Sequence, residues 1–340
     1  MGDSKLASVV HFTESLMTHS PSLEEIRSAA AALRGRIVET PTLTLNSSRI
    51  APHLPEDSRA HMKMELFQQA GSFKARGVLL AVDALDEAQR AAGVTAVSAG
   101  NHALAVSWVA NQAGISAKVV MPKNADPIRV EGCVALGAEV VFGENAAHAF
   151  ASAEHLVQKE GRTMLHPFES PYMTLGAATC GLEFIESRPD MDVVLVPVGG
   201  GGFISGVSTA IKRVKPECEV IGIEPFGADS MWQSFDRGKV VTLDQVTTIA
   251  DSLGAPMSLP NSYAITRQNV SEIVRIADDE MRRAMKLLFD ALKILAEPAC
   301  AATTAAATGP LRERLRGKNI GLIACGSNIS LTRFGELTGA

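Results

Sequence analysis

Short runs of β-branched, apolar residues alternate with alanine-rich stretches along most of this chain of 340 residues. The apolar runs are nearly continuous, which is typical of parallel strands that are covered by helices on both faces. The alternation therefore predicts an α/β protein whose parallel sheets are flanked by helices. The predicted strands are residues 94–98, 117–122, 138–142, 192–198, 219–224 and 319–325. The predicted helices are residues 102–114, 126–136, 146–159, 174–187, 203–214 and 279–292.

The N-terminal part of the chain does not follow this alternation. A helix predicted over residues 22–34 leads to two strand-like segments before the repeating series begins. A chain of 340 residues also exceeds the length at which one hydrophobic core usually keeps growing. We therefore expect a small domain of residues 67–163, inserted into a large ligand-binding domain made of residues 1–66 and 164–340, with the ligand cleft between them.

Composition restricts the classes of function. The 32 Lys and Arg against 37 Asp and Glu give a formal net charge of −5 without a basic cluster, which argues against a nucleic-acid partner. The five cysteines form no C-x-x-C pair, so we expect free thiols in the cytoplasm and no structural zinc site. Polar residues interrupt the segment from Met1 to Leu16, and no apolar stretch approaches about 18 residues. We therefore expect neither a signal peptide nor a membrane span.

One lysine stands where a turn is predicted to enter a helix. Lys74 follows Ser72, whose hydroxyl is expected to cap the first free N–H groups of that helix. The positive end of the helix dipole should then lower the pKa of the Lys74 ammonium group. A lysine that forms a Schiff base needs such a neutral amine. The alternative is a surface lysine that points into water.

Four consecutive glycines follow the buried strand 192–198 and precede a helix. Such a loop can curl its N–H groups around a phosphate, and the helix dipole adds favourable potential. The spacing fits neither a Walker A loop nor a dinucleotide fingerprint, which leaves a cup for a single phosphate or else a tight turn. The predicted cup consists of Gly199, Gly200, Gly201, Gly202 and Phe203.

Polar residues also follow the strand 94–98. The N–H groups at the start of the next helix and the Ser98 hydroxyl suit a carboxylate, and Asn101 can donate to a phenolate-like oxygen, although a simple helix cap is the more common meaning of such residues. The predicted substrate segment is Ser98, Ala99, Gly100, Asn101 and His102.

The last predicted strand, 319–325, ends at Cys325 on the carboxyl edge of the sheet. Ligands of open α/β folds bind at that edge, so this thiol can face a heterocycle nitrogen. Alternatively, it is a small buried hydrophobic side chain.

Together these stretches resemble the fold type II pyridoxal 5′-phosphate (PLP) enzymes, specifically the serine/threonine dehydratase and serine racemase branch. The resemblance runs from about residue 20 to 335 and implies a two-lobed fold like that of tryptophan synthase β. It implies that PLP lies against Phe73 as a Schiff base with Lys74, that the glycine loop holds its phosphate, and that Asn101 contacts its 3′-oxygen. It also implies that the segment beginning at Ser98 receives the substrate carboxylate.

Two residues depart from the family's pattern. Cys325 replaces the Ser that usually faces the pyridine nitrogen, and a thiol is the weaker hydrogen-bond partner. Either residue leaves that nitrogen largely unprotonated, which favours prompt loss of a β-leaving group. Ala99 replaces a Ser that is found in racemases of this branch, so no hydroxyl is expected to protonate the opposite face of the substrate.

A loop after the strand 219–224 resembles the family's divalent-cation loop. Glu224 and Ala228 match the family's carboxylate and carbonyl ligands of Mg²⁺ or Ca²⁺, but Ser230 replaces an Asp. One carboxylate fewer weakens a site for a hard cation. A bound cation and an ordinary loop are both open interpretations.

The function predicted from these residues and the resemblance is a dehydratase that converts a small β-hydroxy amino acid into a 2-oxo acid and ammonia. Serine, threonine, 3-hydroxyaspartate and phenylserine all suit this chemistry. The alternatives are an amino-acid racemase, a PLP-dependent β-replacement enzyme and a non-enzymatic PLP or amino-acid binder. The resemblance further implies a homodimer, and the short C-terminal end suggests a catabolic or unregulated enzyme.

Overall fold

Two sheets organise the chain in the computed structural model, which describes residues 20–144 and 146–339. The segment Met1–Leu16, for which no signal peptide is predicted, lies outside the described residues. The strands are β1 Thr42–Thr44, β2 Arg59–Lys63, β3 Val94–Val97, β4 Ala117–Pro122, β5 Glu139–Gly143, β6 Thr163–Met164, β7 Val193–Pro197, β8 Glu219–Pro225, β9 Glu272–Ile276 and β10 Asn319–Ile323.

Helices connect and cover these strands. They are α1 Leu23–Leu33, α2 Lys74–Asp83, α3 Glu87–Ala92, α4 Asn101–Ala113, α5 Pro127–Ala135, α6 Ala146–Glu160, α7 Pro171–Ser187, α8 Gly202–Val214, α9 Ser230–Arg237, α10 Pro260–Asn269, α11 Asp278–Leu292, α12 Pro298–Thr308 and α13 Leu331–Thr338.

The larger sheet has the strand order β1-β2-β10-β7-β8-β9, and the smaller has the order β5-β4-β3-β6. Every pair of neighbouring strands is parallel except β1 and β2. All five residues of β7 are buried, as expected for a central strand covered on both faces. The predicted α/β class with parallel sheets flanked by helices is confirmed.

Each sheet has its own hydrophobic core. The core of the larger sheet includes Leu195, Ile221 and Ile323, and that of the smaller includes Val94, Val119 and Val106. The strands of the smaller sheet all fall between Val94 and Met164. The division into domains at residues 66/67 and 163/164 stays a prediction.

Local signals explain several element boundaries. Ser22 caps α1 in a capping box with Glu25, and Gly114 ends α4 in the left-handed conformation. The helix predicted from residue 174 begins earlier, at Pro171, because the Ser170 side chain caps it. Asp278 is of a residue type that suits an N-cap, but it is the first residue of α11, and Glu280 accepts the Ala277 N–H.

Among the described residues, no helix combines the length and the apolar character that crossing a membrane requires. All five cysteines are buried free thiols.

Candidate active site

A cavity of about 250 Å³ lies at the carboxyl ends of strands from both sheets. The residues after β3, β7 and β10 all line it, as the edge rule for open α/β sheets predicts. A depression of about 580 Å³ beside α11 and α12 is larger but contains none of the predicted site residues. The predicted residues that line the cavity are Phe73, Lys74, Ser98, Ala99, Gly100, Asn101, His102, Gly199, Gly200, Gly201, Gly202, Phe203 and Cys325.

Glu224 and Ala228, the predicted cation ligands, are not among the residues that line this cavity. The described residues contain no cluster of three or more His, Cys, Asp or Glu suited to a metal ion. The cation site therefore stays a prediction.

Lys74 is the first residue of α2, and its Nζ donates a hydrogen bond to the carbonyl oxygen of Pro167. Burial lowers the pKa of Lys74 to about 8, and Cys325 only partly opposes this shift. Burial, and not the helix dipole that the sequence predicts, is thus the main cause of the lowered pKa. The predicted Ser72 cap is wrong, because Phe73 occupies the N-cap and makes no side-chain cap bond.

The glycine loop connects β7 to α8, whose first residue is Gly202. Gly201 has φ +93°, which favours glycine, and a Cβ at Gly200 would lie 2.5 Å from the ring of Phe168. A Cβ at Gly202 would lie 2.4 Å from the Phe168 carbonyl oxygen. The loop must therefore stay free of side chains, which leaves backbone N–H groups at a helix N-terminus beside the cavity.

The amide of Asn101 is held from two sides. Its Nδ2 donates to Glu297 Oε1 at 2.7 Å, and its Oδ1 accepts from Asn328 Nδ2 at 2.7 Å. Asn328 Nδ2 also donates to the carbonyl oxygen of Ala70 at 2.8 Å, which fixes the orientation of the Asn328 amide. These bonds set which end of the Asn101 amide carries its N–H groups.

Glu297 is fully buried, and burial raises its pKa to about 7. The Arg129 guanidinium, 3.7 Å from Glu297 Oε2, opposes this shift, but Arg129 is also paired with Asp251. Among the described residues, Oε2 has no hydrogen-bond partner. One cation facing two carboxylates leaves a net negative charge unless Glu297 keeps a proton.

Two histidines next to Lys74 are neutral at pH 7. His102 donates from Nε2 to the Leu165 carbonyl oxygen, and burial lowers its pKa to about 3. His166 Nδ1 accepts the N–H groups of Phe168 and Glu169, and burial lowers its pKa to about 4. For both histidines the charge of Lys74 lowers the pKa further, so neither adds a competing positive charge to the cavity.

Cys325 and two aromatic rings complete the site. Burial raises the pKa of Cys325 well above its ordinary value, so its side chain is a neutral thiol. The rings of Phe73 and Phe203 stack with centroids 3.8 Å apart, which links the lysine segment to the glycine loop. A lysine of lowered pKa, a bare glycine cup and an oriented amide in one cavity fit PLP.

Sequence reasoning missed several residues of the cavity. Arg129, Asp251 and Glu297 come from segments far apart in the chain, so spacing gave no signal for them. Glu297 alone has a local sign, since Pro298 follows it and a polar residue before Pro often starts a helix. The missed lining residues are Arg129, Pro167, Phe168, Pro197, Asp251, Ser252, Leu253, Gly254, Ala255, Glu297 and Ala299.

Comparisons with known proteins point to one family. A profile of the family described as "Pyridoxal-phosphate dependent enzyme" matches residues 35–326. The phenylserine dehydratase of Ralstonia pickettii is 45% identical over 322 residues, which cover 95% of this chain and 98% of that protein. The catabolic L-threonine dehydratase of Escherichia coli K12 is 36% identical, over 94% of this chain and 96% of that protein. The solved structure of maize serine racemase matches with a TM-score of 0.88 and 32% identity, over 94% and 97% of the two chains.

Proposed function

Because the chain belongs to the family of pyridoxal-phosphate dependent enzymes, we propose that it is a dehydratase that converts a β-hydroxy amino acid into a 2-oxo acid and ammonia. The observation that carries this proposal is the buried Lys74, whose pKa of about 8 makes its amine available in the same cavity as the glycine loop. The 45% identity to a phenylserine dehydratase supports the reaction type.

Lys74 acts twice in this proposal. Its amine would hold PLP at rest, and when free it would take the proton from the substrate Cα. PLP, when bound, supplies the electron sink that makes this proton acidic. The neutral His102 and His166 leave the proton on Lys74, because neither is a stronger base there.

The segment from Ser98 to His102 binds the substrate carboxylate. Its N–H groups lie at the N-terminus of α4, where the backbone donors are free of helical partners. The Ser98 hydroxyl accepts the Gly100 N–H at 3.1 Å, which tightens this turn. The amide of Asn101, which is held by Glu297 and Asn328, would contact the 3′-oxygen of PLP.

The balance between elimination and racemisation depends on two residues. The raised pKa of the Cys325 thiol makes it too weak an acid to protonate a ring nitrogen, and Ala99 offers no proton to the second face of Cα. Both favour loss of the β-hydroxyl. A racemase is the second candidate, because maize serine racemase shares the fold over nearly the whole chain.

Apolar residues form part of the cavity wall, against which the β-substituent of the substrate would lie. Pro167, Phe168, Leu253 and Ala255 line the cavity. Arg129 is already paired with Asp251, so it is poorly placed to receive a second substrate carboxylate. Among the four substrates, phenylserine and threonine therefore suit the cavity better than 3-hydroxyaspartate, with serine the smallest case.

The test combines labelling with a substrate panel. Borohydride reduction of the yellow protein should fix PLP on Lys74, as mass spectrometry of the digested protein would show. Phenylserine, threonine, serine and 3-hydroxyaspartate are then assayed for 2-oxo acid, ammonia and D-isomer. Lys74→Ala and the charge-preserving Lys74→Arg should both lose the label and all activity. Label on another lysine, or D-isomer formed faster than 2-oxo acid, would overturn the proposal.

The setting of the enzyme is part of the same proposal. Five buried free thiols suit the reducing cytoplasm. The resemblance to the dehydratases supports a homodimer with a catabolic role. Sedimentation of the purified protein tests the dimer: a monomer at micromolar concentration would contradict it.

A further inference from the structure

The loop predicted to hold a divalent cation is already internally bonded. Glu224, at the end of β8, is fully buried. Its Oε1 accepts the Met231 N–H at 2.9 Å and its Oε2 accepts the Trp232 N–H at 2.8 Å. These donors lie in the first turn of α9, where carboxylates satisfy N–H groups that have no helical partner. Both oxygens of the strongest predicted cation ligand therefore serve as a helix cap.

A positive charge is also present in this loop. Arg275 of β9 donates from Nη1 to Asp229 Oδ2 at 2.9 Å, and Asp229 Oδ1 accepts from Gln233 at 2.8 Å. The Arg275 Cζ lies 3.4 Å from the centroid of the Trp232 ring and 4.8 Å from that of Phe226. A guanidinium held by a carboxylate and two aromatic faces is a fixed cation.

The remaining candidate ligands, the Ala228 carbonyl oxygen and the Ser230 hydroxyl, are both neutral. Ser230 stands where the family has an Asp, and its buried hydroxyl has no hydrogen-bond partner within residues 20–144 and 146–339. A neutral hydroxyl adds no charge, whereas Ca²⁺ takes six to eight oxygens, several of them from carboxylates. These donors do not fit a hard dication.

One side chain of this loop nevertheless packs against the glycine cup. A Cβ at Gly201 would lie 2.8 Å from Cε of Met231, so the Met231 side chain packs directly against that glycine. The backbone N–H of the same Met231 is bonded to Glu224, and the next residue, Trp232, stacks on Arg275. The position of Met231 under the cup therefore depends on Glu224 and Arg275.

We propose that Arg275 is a positioning residue that replaces a bound divalent cation: it holds the loop 224–232 under the glycine cup, so that PLP binds without Mg²⁺ or Ca²⁺. This inference rests on the assignment of the glycine loop to the PLP phosphate. It deepens the proposed function, because it names what keeps the cup in shape.

The first experiment uses the unaltered protein. After treatment with EDTA and dialysis, its thermal unfolding and its dissociation constant for PLP are measured with and without millimolar MgCl₂ or CaCl₂. A ligand that binds the native state raises its stability, so a cation site would appear as a shift of the unfolding midpoint. We expect neither quantity to change. A midpoint or a PLP affinity that rises with either cation would overturn the proposal, whether or not any variant folds.

The second experiment removes the fixed charge. Arg275→Met should weaken PLP binding about tenfold, equivalent to about 1.4 kcal/mol, and lower the unfolding midpoint. Arg275→Lys should retain most of the PLP affinity because it keeps the charge. The matched control is Arg333→Met, which removes an exposed arginine of α13 that is paired with Glu336; it should bind PLP as the unaltered protein does. PLP affinity unchanged in Arg275→Met would contradict the positioning role.

The outcomes separate this inference from the proposed function. PLP binding without dehydratase activity would contradict the proposed reaction but leave the cation experiment valid. Dehydratase activity that depends on Mg²⁺ or Ca²⁺ would contradict the role proposed for Arg275 but not the proposed reaction.

Discussion

Two buried arginines in this molecule bind two carboxylates each, but only one of the two clusters has as many positive as negative charges. We call that cluster saturated and the other unsaturated. Arg76 makes bidentate pairs with both Glu65 and Glu183, with N to O distances of 2.6–2.8 Å, and Lys63 adds a second cation to Glu183. Two positive and two negative charges cancel. In the second cluster, Arg129 is alone with Asp251 and Glu297.

The carboxylates respond in opposite directions. Burial alone would raise the pKa of Glu65, but the charges and hydrogen bonds of Arg76, with help from Lys63 and Thr40, hold it below its ordinary value. Burial raises the pKa of Glu297 to about 7. Arg129 opposes this shift only in part, because it is also paired with Asp251. The saturated cluster therefore stabilises the fold around α2. The unsaturated cluster lines the cavity and can exchange a proton near neutral pH.

The largest expected effect is on stability, from breaking the saturated cluster. Arg76→Met should lower the free energy of unfolding by about 3–5 kcal/mol, because it leaves the buried Glu65 and the partly buried Glu183 without their main cation. Urea unfolding at pH 7 measures this change. A loss below about 1 kcal/mol would mean that Arg76 does not stabilise the fold as its contacts indicate.

The matched change in the other cluster should cost less stability. Arg129→Met leaves Asp251, whose side chain is 57% exposed and can be hydrated, and Glu297, which can keep a proton. We expect a loss of about 1–2 kcal/mol, measured in the same urea titrations, together with a clear fall in kcat. Equal losses of stability in the two arginine variants would remove the distinction between the clusters.

The pH dependence of stability sharpens the comparison. The folded-state pKa of Glu297 is raised from 4.5 to about 7, so its contribution is present below pH 4.5 and is lost as the pH rises through 7. Glu297→Gln carries no such charge. Between pH 5 and pH 8 its unfolding free energy should therefore rise relative to that of the unaltered protein, by at most about 3 kcal/mol.

Glu65→Gln is the control for this pH experiment. Because the pKa of Glu65 is lowered in the folded state, its contribution is present above its unfolded pKa and is lost only as the pH falls. Glu65→Gln should therefore be less stable than the unaltered protein throughout pH 5–8. Denaturant titrations at pH 5 and pH 8 measure the unfolding free energy of each variant and of the unaltered protein. The difference from the unaltered protein should change with pH for Glu297→Gln and keep its sign for Glu65→Gln. If the difference in unfolding free energy between Glu297→Gln and the unaltered protein is the same at both pH values, Glu297 does not hold a proton.

These clusters also mark where sequence reasoning ends. The α/β class, most strand positions and the cavity-lining motifs were predictable, because continuous apolar runs and glycines leave local signals. The strand β9 was missed, since Glu272 and Arg275 interrupt its apolar pattern, and α12 was missed because its Ala, Thr and Cys residues are buried all round and show no amphipathic period. The pairing of Arg129 with Asp251 joins residues 122 positions apart, which spacing alone cannot reveal.

The smallest expected effect concerns Ala99, next to the unsaturated cluster: Arg129 Nη1 donates to the Ala99 carbonyl oxygen at 3.4 Å. Ala99→Ser adds one hydroxyl beside the substrate segment without changing a charge. Stability should change by less than about 0.5 kcal/mol, but the hydroxyl gives the second face of Cα a proton donor. Chiral chromatography of the products from L-serine should then show more D-serine relative to 2-oxo acid, while Ala99→Gly, which adds no hydroxyl, should leave that ratio unchanged. If both variants keep the original ratio, the preference for elimination comes from the ring-nitrogen side at Cys325 instead of from Ala99.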